Sequence, residues 1–154
     1  MQRRPFVLAA LASPVAAWAH HGWSSFDQDR AIYLEGKVVS SKWQNPHAEL
    51  VLEVTSGLKL PADLAQRAVP AQTAPVDAKS VLAKAILPTR KDRQWEIELA
   101  PLSRLEAWKV AEIKPGTTLS LVGFTFKEEK GDAILRAEYL FVAGKAYGLR
   151  SGPA

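Results

Sequence analysis

The chain has 154 residues, 47% of them hydrophobic and 23% charged, an ordinary globular balance that leaves out disordered, collagen-like and coiled-coil classes and suits one compact domain. It contains no cysteine, which excludes disulfides, thiolate zinc sites, iron–sulfur clusters, c-type haem attachment and cysteine nucleophiles and confines any metal to nitrogen or oxygen ligands. Of the formal charge of +4, Arg3 and Arg4 supply two, and the remaining signs are mixed along the chain, which is not the footprint of a nucleic-acid binder.

In chain order, the first segment is expected to be a removable export signal. Arg3 and Arg4 precede an apolar run, 6–12, too short to cross a bilayer as a helix. Ala17 and Ala19 then put small residues at the two positions that a signal peptidase inspects. Cleavage after Ala19 predicts a periplasmic or secreted product, exported by the general secretory route or, given the paired arginines, by the twin-arginine one. No later run approaches the roughly 20 apolar residues of a membrane span, so no stable span is expected after cleavage. His20 would become the first residue. Its free α-amine and its own ring Nδ1 can then bind one metal in a chelate, which a histidine inside a chain cannot do.

The mature domain, 20–154, reads as a succession of strands. Residues 31–39 are rich in β-branched and aromatic side chains, with Gly36 expected at a bulge or bend. Gln44, Asn45 and Pro46 break this strand, because proline fixes its own φ and biases the residue before it toward extended geometry. From 47 to 54 the pattern alternates, placing Ala48, Leu50, Leu52 and Val54 on the core face and His47, Glu49, Val51 and Glu53 on the other. Residues 56–93, with Pro61, Pro70, Pro75 and Pro88, lose strand character and are expected to form a tolerated surface insertion. Two short helices are expected within it, 61–68 and 77–87, the second capped by Asp77 and turning Val81, Leu82, Ala85 and Ile86 to one side.

Strand pattern resumes at 94–99 with Trp95, Ile97 and Leu99 inward, and a short helix at 101–110 offers Leu102 and Leu105 to the core. After the turn at Lys114, Pro115 and Gly116 come a strand at 118–126, a charged turn at 127–132, a strand within 133–142 and a turn at 143–145. A short sixth strand is expected at 147–149 and a frayed tail at 151–154. One helix between the third and fourth strands of a five- to six-stranded, mainly β chain is the order of the oligonucleotide/oligosaccharide-binding (OB) barrel, so an OB-like barrel is the expected fold.

Several constellations have bland explanations. Trp23, Trp43, Trp95 and Trp108 can form a stacking platform for a sugar or base, but aromatic residues of this size more often fill a core. Glu96 and Glu98 share a strand face and read as solvated polar residues, and Arg90, Lys91, Asp92 and Arg93 read as a solvated loop. No Gly-x-Ser-x-Gly elbow, phosphate loop or dinucleotide fingerprint occurs, so no catalytic residue is assigned and no enzyme is expected.

Ala19-His20-His21-Gly22-Trp23, Leu34 to Val38, Trp43-Gln44-Asn45-Pro46-His47, Trp95 to Leu105, and Ile113 to Gly116 with Val122 and Gly123 carry a resemblance. Together they resemble domain-of-unknown-function family 6152, short exported bacterial proteins with Ala-His-His and Asn-Pro-His signatures. The resemblance implies export and a small β-rich domain, and no activity.

The three histidines of the chain, His20, His21 and His47, all fall inside these signatures. Two imidazoles and an amino-terminal amine make a nitrogen set that favours Cu(II). The metal reading takes His20 and His47 as ligands, His21 as a further or alternative one, and Asp27 or Glu49 as the carboxylate that orients a ring. Its alternative is a metal-free interaction module that docks a protein or glycan partner, with the histidines solvated or bracing a hairpin.

Overall fold

The computed structural model describes residues 22–154; the expected export signal, His20 and His21 lie outside the described residues. Six strands form one sheet: β1 Ile32–Lys42, β2 Glu49–Val54, β3 Gln94–Glu98, β4 Thr118–Phe124, β5 Ile134–Val142 and β6 Lys145–Gly148. β1 pairs antiparallel with β2 and β4, β2 with β3, and β4 with β5, while β3 pairs parallel with β5. The parallel pairing closes a five-strand OB-like barrel, β1-β2-β3-β5-β4, and β6 is an extra strand on β5. Helix α2, Leu102–Ala107, lies between β3 and β4, as the element order predicts.

The interior is built by the alternation read from the sequence. Leu50 and Leu52 of β2 and Trp95 and Ile97 of β3 face inward and are almost fully buried with Leu34 and Leu121. Leu105 of α2, Val110 and Ile113 join this same core. Gly36 is not the bulge; the pairing of β1 with β2 slips at Val39 instead. Gly36 is glycine because it pairs with β2 and β4 at once, and a Cβ there would lie 2.0 Å from the carbonyl oxygen of Glu53.

Residues 56–93 are more than a surface insertion. Helix α1, Ala78–Lys84, is capped by Asp77, whose carboxylate accepts the Ser80 N–H at 3.0 Å. Leu82, Ala85 and Leu64 pack on Tyr33, Val122 and Tyr139, which point outward from β1, β4 and β5, and so form a second core outside the barrel. The first expected helix is reduced to a 3₁₀ turn, Leu64–Gln66. Ile86 leaves the helix face: its side chain is exposed, and its backbone pairs with the start of β1 through Tyr33 N–H and Ala31 C=O.

One further expectation is corrected. Residues 151–154 are not frayed, because the Trp108 indole donates to the Ser151 carbonyl at 2.8 Å, Gln72 pairs with Pro153, and Ser151 Oγ accepts the Ala74 N–H at 2.8 Å. In the charged turn, Glu129 is buried. Its carboxylate accepts Thr89 Oγ1 at 2.6 Å, Thr89 N–H at 2.9 Å and Arg30 Nη1 at 2.7 Å, fastening the return of the excursion to the barrel. Burial pushes the Glu129 carboxyl up, but the bonds from Thr89 and Arg30 outweigh it and hold its pKa below the usual range. The hairpin between β5 and β6 turns through Ala143 and Gly144, both at positive φ (52° and 73°), the geometry of a two-residue type I′ loop.

Candidate functional site

His47 ends the loop that joins β1 to β2. That loop is tied down locally: Asn45 Oδ1 accepts the first N–H of α2, from Leu102, at 3.1 Å, and Ala48 exchanges backbone bonds with Ala100 and Leu99. Asn45 supplies a cap that Pro101, at the helix start, cannot. His47 points away from the barrel interior, as its strand parity predicts, yet it is only 8% exposed. Its Nδ1 lies 3.5 Å from Glu49, and Lys42 Nζ approaches the other Glu49 oxygen at 3.6 Å.

A row of outward side chains runs sideways from Glu49. Glu49 is opposite Glu98, Glu98 opposite Arg136, and Arg136 opposite Phe124, across β2, β3, β5 and β4. Glu98 is therefore not a solvated residue; it is buried and accepts Arg136 Nη1 at 3.1 Å. Glu96, one step along the same face, is exposed to solvent at its side. Partial desolvation, with the neighbouring carboxylates of Glu49 and Glu98, raises its pKa.

Trp23 closes the far end of this row. Its ring meets Phe124 edge-on at 6.4 Å, and the guanidinium groups of Arg150 and Arg136 lie 3.8 and 4.9 Å from its centroid. Arg150 is itself held by Glu138, at 2.8 Å from Nε, and by Gln28, whose amide donates in turn to the Trp23 carbonyl. The chain at Trp23 is thus fixed to the barrel wall.

Of the residues expected to form a site, His47 and Glu49 are brought together. Asp27 is not their partner: its carboxylate accepts the Asp29 N–H at 3.2 Å and shapes its own turn. Among the described residues no group of three His, Cys, Asp or Glu is arranged to hold a metal. The four tryptophans form no joint platform. Trp95 is buried in the barrel, Trp43 and Trp108 pack against the same core, and Trp23 lies on the outer wall. Sequence reading missed Arg136 and Glu138, although two opposite charges inside the apolar run of β5 are a signal of buried pairing. Glu138 is the extra residue of a bulge opposite Val122 and Gly123, so alternation alone misplaces it.

The fold and its charged face define a small OB-like barrel with an added outer wall and a tryptophan clamped beside the row that leads to His47. Residues 8–60 match the model of a family of unknown function (DUF6152), the family that the motifs resemble. The match takes in the three histidines, Trp23, β1, the 43–48 loop and β2, and ends within the start of the excursion. No curated protein and no solved structure matches the chain. No helix among the described residues is long and apolar enough to cross a membrane.

Proposed function

We propose that the protein is an exported binding or accessory protein that holds Cu(II) through a processed amino-terminal His20 together with His47, with His21 as a further ligand. One observation carries the reading. Trp23 is pinned over Arg136, and Arg136 is two strands from Glu49, the neighbour of His47. Two strand spacings are about 10 Å, and the three residues from His20 to Trp23 reach about 10 Å when extended. An extended segment of three residues is thus of the same order as the spacing from Arg136 to Glu49, which supports a site shared by His20 and His47. Glu49 beside Nδ1 is the carboxylate that would orient the His47 ring while Nε2 binds the metal.

The test is a Cu(II) titration followed by EPR, on naturally exported protein whose first residue has been established by mass spectrometry. A stoichiometric type-2 signal with nitrogen splitting supports the reading if it is lost in His47→Ala and in a chain with one extra residue ahead of His20. A chain that starts at His20 and gives no specific signal overturns it. That result would favour the metal-free module, which captures a protein or glycan partner and tolerates all of these changes.

A further inference from the structure

We propose a second, independent site: a cleft at the opposite end of β2 that binds a small molecule joining an oxyanion, carboxylate or phosphate, to a short apolar body. The cleft has a volume of about 550 Å³, within the usual range for small-molecule sites, and opens between residues 54–58 and the return of the excursion, 87–93. The length of β2, about 17 Å, separates it from the His47 end.

Its floor is a fixed cation. The Arg90 guanidinium lies 5.6 Å from the centre of the buried Trp95 ring and is held on three sides. Nε and Nη2 donate to Asp92 at 2.6 and 3.2 Å, and Nη1 donates to the carbonyls of Glu129 and Gly131 at 2.7 and 2.9 Å. The four-residue run that reads as a solvated loop is therefore ordered around Arg90. Its hydrogen bond to Arg90 lowers the Asp92 pKa, so this carboxylate is ionised and balances Arg90.

The adjoining cations have no such balance. Lys91 and Arg93 line the cleft, are exposed, and make no ion pair within 4 Å among the described residues. Two uncompensated cations flanking a fixed guanidinium suit an oxyanion, because charge-assisted bonds to carboxylate or phosphate are the strong ones. Half-buried Leu58 and Leu87 supply an apolar wall. Both walls are fastened in advance: Thr55 N–H donates to Glu35 C=O at 2.9 Å, Val54 N–H to Arg93 C=O at 2.8 Å, and Thr89 to Glu129. A preformed cleft of this kind binds without the cost of ordering its loops.

Phenyl phosphate, added to the isotopically labelled mature chain and followed by amide NMR, is the probe. Saturable shifts centred on residues 55–58 and 91–93, weakened at least tenfold in the Lys91→Gln/Arg93→Gln double variant, are the expected result. Both substitutions are on exposed side chains, and an otherwise unchanged spectrum establishes that the variant is folded. Shifts that do not saturate, or equal affinity in the double variant, overturn the proposal. Equal affinity for inorganic phosphate alone overturns its apolar part. Binding is expected to survive His47→Ala, so failure here and failure of the copper reading are separable.

Discussion

The outer face of the barrel has two walls of opposite character. Across β1, β4 and β5 the outward residues include the large apolar Tyr33, Val122, Phe124 and Tyr139, which are buried in a second core together with Leu64, Leu82 and Ala85 of the excursion. Across β2 and β3 the outward positions carry Glu49, Glu53, Glu96 and Glu98 with Val51, and Glu53 and Glu96 are left exposed by the described residues. The same backbone ladder therefore supports strands buried on both faces and strands buried on one. What decides is whether a later or earlier segment supplies a complementary apolar surface.

The sharpest way to break this comparison is to weaken the covered wall and leave the open one intact. Leu82→Ala, which opens a cavity between α1 and the barrel, is expected to cost about 3 kcal/mol, against about 1 kcal/mol or less for Val51→Ala on the open wall. Urea unfolding midpoints measure both, and equal losses would refute a load shared unequally between the walls.

Next in size is the fastening of the covered wall. Glu129→Gln removes the ion pair with Arg30 and weakens the bonds from Thr89, an expected loss of about 2 kcal/mol. Because the folded-state pKa of Glu129 is lowered, its contribution is complete above the unfolded carboxyl pKa and is lost as pH falls through the lower folded value. Thermal unfolding of the natural chain between neutral and acid pH should show this decline, and Glu129→Gln should show less of it.

The smallest effect sharpens the comparison at its edge. Ala143 sits at φ 52° in the hairpin that adds β6, a conformation that costs an alanine about 1 kcal/mol and a glycine less. Ala143→Gly is expected to stabilise by about 0.5 kcal/mol, a small rise in melting temperature without change in the β2–β3 wall.

These walls also explain what was legible in the sequence. Strands β2 and β3 alternate cleanly because one face is wet, and their inward residues could be named one by one. The element order with α2 between β3 and β4 gave the barrel. The excursion misled because its apolar residues, Leu64, Leu82 and Ala85, are few and far apart, while their partners on β1, β4 and β5 look like ordinary strand residues. Only the continuous apolar character of β4 and β5 hinted that both faces were covered. At the site, the histidine and its carboxylate neighbour at i+2 were readable, since alternation puts both on one face. The clamp on Trp23 was not, because it joins residues more than 100 positions apart through a bulge that changes strand parity.

The weave around Gln72 bears on the order in which the molecule is made. Gln72 donates to the buried Glu138 at 3.0 Å and accepts the Ser151 N–H at 3.1 Å, a pairing across 79 positions. Residues 71–74 cannot find these partners until residue 151 has been synthesised. Closing so long a loop is slow relative to local structure. A chain emerging in stages thus leaves this fastening of residues 71–74 unmade until its last few residues are present.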